Sequence, residues 1–549
     1  MKRLKLCFWI ILAIGSLSVF GFSQGNKFRS DDPLAADPDQ LSIPQPDSVE
    51  LSQTMDILEN TFALRPQKDV PIATAENVNT LGEVPDSSWF TNRMSQRVMT
   101  IEELVRGPNQ VDGPDRSVPW VIIAVKSEGI TPGFTIRDGR DDVYFIKFDP
   151  PKYPQLATST EVISTKFFHA FGYHVPENYL SFIRREELRI APEARLEDDE
   201  GKERPVRESD IDRIFKWAFQ HPDGTTPVIA SRRLPGTPIG HFQYHGTRSD
   251  DPNDIFPHEN RRELRGLRVF SAWLNHDDSR SINSLDMYLG SPGEGHVQHH
   301  LIDFGSCLGS GSVKPQTRRA GNEYILEGKP IVKAGLSLGI WDRPWRHVKF
   351  PDYPAIGRFE ADFFQPQLWR PEYPNPAFER MQIEDAFWAT RTILRFSDEM
   401  IRAIVETGQI SDLDASNFLV ETLIKRRDKI IRYYLARINP LDAFQVTGRT
   451  GPSLSLEFKN LGLEAGLASR SSYQYQWFRF DNQLQSLEPL GQISSSTEPS
   501  LALVQDRAAY LMVRISTLVS EQPNWKKKVE VFIRNDPQNP TVVGVDRES

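Results

Sequence analysis

Apolar residues along the chain form strand-like runs first and helical stripes later. After residue 118, the runs VPWVIIAVK, GFTIRD and VYFIKFDP predict three strands, and the turn-forming DGRDD predicts a hairpin between the last two. NYLSFIRREELRI and TPVIASRRLPGTPIG predict further strands, separated by an acidic insertion. SLDMYLG and HVQHHLIDFG flank SPGEG and predict a second hairpin.

Helical patterns interrupt and then follow these strands. In STEVISTKFFHAFGYHVPE, Ser159 or Thr160 can cap a helix that Gly172 and Pro176 end. The apolar residues of this stretch recur on one helical face: Ile163, Phe167, Ala170 and Phe171. Further helices are predicted from HENRRELRGLRVFSAWLN, IEDAFWATRTILRF, SDEMIRAIVETG and DASNFLVETLIKRRDKIIRYYLARI.

The two ends of the chain differ from its centre. After Pro440, short alternating runs such as SYQYQWFRFD and AAYLMVRIS predict a β-sandwich domain over residues 440–549. Residues 24 to about 80 are rich in Asp, Pro, Gln and Ser, and we expect an extended N-terminal arm over residues 24–110 with one short helix near SVELSQTMDILENTFAL. Residues 111–439 remain as a central domain, so the expected fold class is α+β.

Composition fits a globular protein that does not depend on disulfides. The chain has 549 residues, of which 39% are hydrophobic and 25% charged, and its formal net charge is -9. Because the net charge is negative, we expect no nucleic-acid partner. Removal of an N-terminal leader would leave one cysteine, Cys307, of the two in the sequence.

The first residues predict a signal peptide over residues 1–23. Three basic residues precede an apolar stretch from Cys7 to Phe22, which is shorter than the roughly 20 residues that a membrane-spanning helix needs. Gly21 and Ser23 favour cleavage after Ser23. We therefore expect an exported protein, periplasmic or secreted, and an uncleaved membrane anchor is the alternative.

Polar residues that could carry chemistry lie between the helix ending in AWLN and the second hairpin. In NHDDSRSIN, Asp278 stands five residues before Asn283, and the hairpin that follows ends in the Asp-Phe-Gly sequence of Asp303. Folding the hairpin back can bring Asn283 and Asp303 together. Their carboxylate and amide oxygens are the ligand type that Mg²⁺ prefers.

These two motifs resemble the catalytic loop and metal-binding segment of atypical kinases, including the HipA-type and phosphatidylinositol kinase families. The order of elements over about residues 118–438 is similar to that of a two-lobed protein kinase. The resemblance implies a kinase-like fold for residues 111–439, ATP as the nucleotide and Mg²⁺ as the metal. Asp278, rather than Asp277, would orient and deprotonate an acceptor hydroxyl, and Asn283 and Asp303 would bind Mg²⁺.

The same resemblance implies roles in the strand-rich part. Lys147, in VYFIKFDP, would contact the nucleotide phosphates, and Glu161 would pair with it, although helical periodicity turns Glu161 away from the Ile163 face. Gly129 and Gly133, in SEGITPGFT, could let backbone N–H groups approach phosphates. SRRLPG is the expected hinge for adenine. An ordinary strand lysine and a plain hairpin turn are the alternatives.

Three functions fit these residues. The first is an exported kinase-like phosphotransferase that moves a phosphoryl group from Mg-ATP to a protein, lipid, sugar or small molecule. The second is a nucleotidyl transferase on the same scaffold. The third is a non-catalytic kinase-like binding or envelope protein. Such a protein would tolerate the loss of Asp278, Asn283 or Asp303, and all three are present here. The C-terminal sandwich offers a surface for a protein or glycan.

Adjacent His299 and His300 face opposite sides of a strand and do not favour a metal site.

Overall fold

The computed structural model describes residues 25–66, 71–126, 132–197, 202–327, 342–448 and 454–548. The predicted signal peptide and the predicted phosphate-loop residue Gly129 lie outside these ranges. Within the described ranges, no helix is long and apolar enough to cross a membrane. The chain forms a mixed α+β structure with one large sheet and several smaller ones.

A seven-stranded sheet forms the strand-rich part of the molecule. Its strands are Trp120–Lys126 (β1), Gly133–Arg137 (β2), Val143–Phe148 (β3), Asn178–Ile183 (β4), Leu188–Glu197 (β5), Glu203–Pro205 (β6) and Thr226–Arg232 (β7). They lie in the order β4-β7-β3-β2-β1-β5-β6, and every neighbouring pair is antiparallel except β1 and β5. The predicted hairpin between β2 and β3 is confirmed, with Gly133 opposite Lys147.

Helix α3 (Leu156–Phe171) connects β3 with β4, and it begins before the predicted caps Ser159 and Thr160. The reason is a cap from outside the helix: the Asp149 carboxylate accepts hydrogen bonds of 2.8 and 3.0 Å from two backbone N–H groups of the first turn. The predicted end at Gly172 is confirmed. The sequence therefore locates the helix correctly and misplaces its start.

The helices preceding and following α3 are Gln53–Phe62 (α1), Ile101–Arg106 (α2), Glu208–Trp217 (α4), Arg262–Leu274 (α5), Pro376–Glu379 (α6), Ile383–Leu394 (α7), Asp398–Glu406 (α8) and Leu413–Leu435 (α9). Helix α4 begins within the predicted acidic insertion, and its residues Ile211, Ile214 and Phe215 join the apolar core under the large sheet. Helices α3, α5, α7, α8 and α9 contribute to a second and larger apolar core.

A small sheet combines one strand that precedes α5 with two strands that follow it. Its strands are Thr237–Pro238 (β8), Ser284–Leu289 (β9) and His296–Leu301 (β10). Strands β9 and β10 pair antiparallel, which confirms the second predicted hairpin. This hairpin carries the chain from Asn283 back to Asp303.

Two further sheets form after residue 440. The strands are Leu441–Thr447 (β11), Ser455–Asn460 (β12), Ser472–Phe480 (β13), Leu487–Ser496 (β14), Ser500–Ala502 (β15), Tyr510–Leu518 (β16), Val529–Arg534 (β17) and Thr541–Arg547 (β18). A three-stranded sheet has the order β11-β12-β15, and a five-stranded sheet has the order β14-β13-β16-β17-β18. A short helix, Leu461–Glu464 (α10), follows β12. The sandwich and the domain boundaries stay predictions.

Candidate active site

Lys147 lies near the end of β3, between the buried residues Ile146 and Phe148. Its ammonium nitrogen lies 2.9 Å from Asp303 Oδ1 and 3.7 Å from Glu161 Oε2. Burial disfavours the charge on Lys147, but the two carboxylates outweigh this effect and raise its pKa. The folded chain thus brings together three residues from β3, α3 and the end of β10, and the lysine stays positively charged.

The buried Glu161 carboxylate links the lysine to the Asp-Phe-Gly segment. It accepts hydrogen bonds from the backbone N–H of Phe304 at 3.0 Å and from Asn178 Nδ2 at 3.3 Å. Burial raises the pKa of Glu161, and Lys147 opposes that shift. Helical periodicity turned Glu161 away from the Ile163 face, but almost every residue of α3 is buried, so both faces of the helix are packed.

The Asp-Phe-Gly segment has an irregular backbone with little space around it. Asp303 is in the left-handed region, with φ of 61°, and its side chain is 46% exposed. The Phe304 ring is buried and stacks on Phe168 with centroids 4.7 Å apart. A Cβ atom on Gly305 would lie 3.1 Å from Glu161 Oε2. The segment is therefore fixed in the core while its aspartate reaches the surface.

The loop after α5, residues 275–283, is called here the polar loop. Asn283 Nδ2 donates a hydrogen bond of 2.8 Å to the backbone carbonyl of Asp278. The backbone carbonyl of Asn283 accepts a hydrogen bond of 3.0 Å from the N–H of Ile302. Asn283 therefore lies beside the residue that precedes Asp303, as the fold-back of the hairpin predicts.

Asp278 forms an ion pair with an arginine of its own loop. Arg280 Nε lies 2.5 Å from Asp278 Oδ1, and Arg280 Nη1 lies 2.9 Å from Glu372 Oε2. Burial raises the pKa of Asp278 to about 6, Arg280 opposes the shift, and the carboxylates of Glu372 and Asp303 add to it. A carboxylate with this pKa can accept a proton near neutral pH.

The neighbouring Asp277 has different surroundings. Its buried carboxyl accepts a hydrogen bond of 2.5 Å from Gln316 Nε2, and burial raises its pKa far above the ordinary value. His276 is also buried, and its ring packs against Phe168 and Phe304. Burial lowers the pKa of His276 to about 4, so the ring is neutral at pH 7.

Gly133 and the expected hinge have structural explanations of their own. A Cβ atom on Gly133 would lie 2.2 Å from the Ile146 carbonyl oxygen, so the pairing of β2 with β3 requires glycine there. Arg232, in SRRLPG, forms ion pairs of 2.9 Å with Asp142 and with Glu177. Contacts of Gly133 with phosphate and of the hinge with adenine stay predictions.

Two residues of the site escaped the sequence analysis. Arg280 stands between Asp278 and Asn283, at a position that the resemblance leaves unspecified. Glu372 is far along the chain, and no local pattern connects it to the loop. Only the fold reveals that Glu372 contacts Arg280.

The oxygen donors of the site suit a divalent ion that also binds phosphate. In the described part of the chain, no group of three or more His, Cys, Asp or Glu side chains could hold a metal ion. Mg²⁺ does not require such a group, because it is commonly held by one or two protein oxygens together with nucleotide phosphates and water. Asp303 and Asn283 fit that pattern in chemistry and in their closeness along the hairpin.

The chain has little detectable similarity to known proteins. No protein-family model and no curated protein matches the chain. Among the solved structures that resemble the chain is that of the proinflammatory kinase CtkA of Helicobacter pylori, which is 15% identical, with a TM-score of 0.29, and the match covers 56% of this chain and 93% of that chain. Similarity at this level establishes neither fold nor activity for this protein.

Proposed function

We propose that this chain is a kinase-like phosphotransferase that uses ATP and Mg²⁺. The observation that carries the proposal is the position of the Lys147 ammonium between the carboxylates of Glu161 and Asp303, beside the loop of Asp278 and Asn283. Phosphoryl transfer requires a lysine on the phosphates, metal ligands and a residue that orients the acceptor. Lys147 is the candidate for the first role, Asn283 and Asp303 for the second, and Asp278 for the third.

The charge and exposure of each side chain support a separate role for it in the reaction. Lys147 binds nucleotide phosphate oxygens, and Glu161 keeps the lysine charged and directed toward Asp303. Asp278 accepts the proton of an acceptor hydroxyl, which its pKa of about 6 permits near neutral pH. Asn283 and Asp303 would hold Mg²⁺, which supplies positive charge that offsets the charge on the phosphates.

The acceptor and the location of the protein are part of the proposal. A hydroxyl acceptor on a protein, lipid, sugar or small molecule suits a carboxylate base. Export to the periplasm or outside the cell follows from the leader sequence of residues 1–23. A protein or glycan partner for the C-terminal strands is proposed on the same footing.

Labelled ATP tests the reaction type. The full chain is incubated with Mg²⁺ and ATP labelled either at the γ-phosphate or at the α-phosphate, with cell-extract fractions as acceptors and Asp278→Asn as the control. We expect the γ label on the product, formed about 10²–10⁴-fold more slowly by the control variant. Transfer of the α label would indicate nucleotidyl transfer, and the absence of transfer of either label from folded protein would contradict the proposal.

A further inference from the structure

Helix α1 of the N-terminal arm buries polar side chains and exposes most of its apolar ones, which is the reverse of an ordinary surface helix. Its buried residues are polar, namely Asp56, Asn60 and Thr61. Of its large apolar residues, Met55, Leu58 and Phe62 are exposed, and Ile57 is half-buried. Because a surface helix usually buries its apolar face, the hydrophobic effect explains the position of α1 only in part. Polar contacts made by its buried face contribute the rest.

Asp56 makes these contacts with residues far along the chain. Its Oδ1 atom accepts a hydrogen bond of 3.1 Å from Ser281 Oγ in the polar loop and one of 2.9 Å from Asn60 Nδ2. Its Oδ2 atom accepts a hydrogen bond from the Tyr373 hydroxyl. Burial, and next the Asp56 carboxylate, raise the pKa of Tyr373, so this hydroxyl stays protonated and donates. A buried carboxylate with several donors is a strong local constraint.

The same contacts enclose the ion pair of Asp278. Tyr373 follows Glu372, whose carboxylate contacts Arg280 at 2.9 Å and whose backbone N–H donates to the Asp277 carbonyl at 2.7 Å. Ser281 follows Arg280 along the loop. A closed ring therefore runs from Asp56 through the polar loop to residues 372–373 and back to Asp56.

We infer that Asp56 is a positioning residue, which fixes the polar loop against residues 372–373 and so aims the Asp278 carboxylate. The effect on turnover rests on the proposed function, whereas the effect on the loop does not. The hydrogen bonds of Asp56 go to Asn60, Ser281 and Tyr373, so loss of its carboxylate should spare nucleotide binding. Misplacement of a catalytic group by about 1 Å can cost about a hundredfold in rate.

Asp56→Ala in the full chain is compared with Glu50→Gln, which removes one negative charge from an exposed position of the same arm. Hydrogen–deuterium exchange is followed in peptides that contain the amides of Asn283 and Glu372, which donate within the ring at 3.0 and 2.7 Å. Turnover and the KM for ATP are measured on the same folded samples. Ser281→Ala and Tyr373→Phe each remove one donor to Asp56.

We expect Asp56→Ala to exchange these amides about tenfold faster or more, to lower kcat by about tenfold to a hundredfold, and to leave the KM for ATP within about twofold. Glu50→Gln should match wild type, and the two donor variants should show smaller changes in the same direction. A merely structural residue would lower the melting temperature but spare kcat per folded molecule.

The two claims fail separately. If wild-type protein transfers no phosphate, the proposed function is wrong, and the exchange of the loop amides still decides whether Asp56 holds the loop. If folded Asp56→Ala exchanges these amides at the wild-type rate, the inference about Asp56 is overturned, whatever the activity. Unchanged kcat in a variant with a loosened loop would also overturn its role in aiming Asp278.

Discussion

Adjacent residues in the polar loop receive opposite environments from the fold. Asp278 is 16% exposed and paired with Arg280, whereas the Asp277 carboxyl is buried against Gln316. Burial disfavours the charged form of the Asp277 carboxyl and raises its pKa, and an asparagine there keeps an oxygen that can accept the hydrogen bond from Gln316. The two aspartates should therefore respond differently to the same substitution.

Asp278→Asn should lower kcat by about 10²–10⁴-fold with little change in nucleotide affinity, because it removes a general base. Asp277→Asn should cost much less, because the amide oxygen can still accept the hydrogen bond from Gln316 Nε2. Steady-state kinetics of both variants, with circular dichroism as the control for folding, make the comparison. A larger loss of kcat for folded Asp277→Asn would mean that Asp278 is wrongly assigned as the base.

The pH dependence of kcat tests the Asp278–Arg280 ion pair. Since the pKa of Asp278 is about 6, kcat should fall as the pH drops through about 6 and the base is protonated. Arg280 favours the ionised carboxylate, so Arg280→Gln should raise the pKa of Asp278 and move the acid limb to higher pH. Arg319→Gln is the matched control, because Arg319 pairs with Glu372 at 3.9 Å. An unmoved acid limb in Arg280→Gln would refute the assignment.

Contacts of the site between residues close in sequence could be predicted, whereas contacts between distant segments could not. Asn283 and Asp278 stand in one short motif, and the hairpin that returns the chain to Asp303 has a visible turn, so their closeness can be predicted. The contact of Arg280 with Glu372 and that of Ser281 with Asp56 join distant segments. No periodicity or turn chemistry encodes such contacts.

At the scale of elements, the end of α3 depends on one glycine. Gly172 has φ of 126°, and a Cβ atom there would lie 2.2 Å from the Phe90 ring. Gly172→Ala should lower the free energy of unfolding by about 2–5 kcal/mol, from an unfavourable backbone and an overlap in the core. Gly246 is the matched control, because its φ is 64° but no atom lies within 4 Å of an added Cβ. Gly246→Ala should therefore lower the free energy of unfolding by only about 1–2 kcal/mol. Urea unfolding of both variants tests this, and equal losses would exclude the overlap.

Strands with alternating apolar residues could be predicted, and strands without them could not. Strand β14 is exposed over nearly its whole length, so its sequence carries no buried stripe. Helix α4 was not predicted, because it begins within an acidic insertion, although the spacing of Ile211, Ile214 and Phe215 is helical. The start of α3 was misplaced because Asp149, outside the helix, caps it. Local patterns therefore indicate buried elements better than exposed or distantly capped ones.

At the scale of the whole molecule, the N-terminal arm connects the C-terminal strands with the polar loop. Phe28 is buried among Phe480, Tyr510 and Phe532 of the five-stranded sheet, with ring centroids 5.2–5.9 Å away. Further along the same arm, Asp56 contacts Ser281. The sequence indicated an extended arm with one helix, but its composition could not indicate where the arm packs.

Phe28→Ala should lower the free energy of unfolding by about 3–5 kcal/mol, because it leaves a cavity between aromatic rings. Phe62→Ala is the matched control in the same arm, since Phe62 is 72% exposed and should change stability by less than about 0.5 kcal/mol. Thermal or urea unfolding of the full chain measures both. Equal effects of the two substitutions would show that the arm does not pack on the C-terminal sheet in solution.

Calorimetric titration of ATP in the presence and absence of Mg²⁺ tests most directly whether Lys147, Glu161 and Asp303 form a nucleotide site. We expect wild-type protein to bind ATP with an affinity that rises when Mg²⁺ is added. Folded Asp303→Ala should lose this Mg²⁺ dependence, whereas Asp31→Ala, at an exposed position of the arm, should retain it. An Asp303→Ala variant that is folded and binds Mg-ATP as wild type does would contradict the assignment of the site.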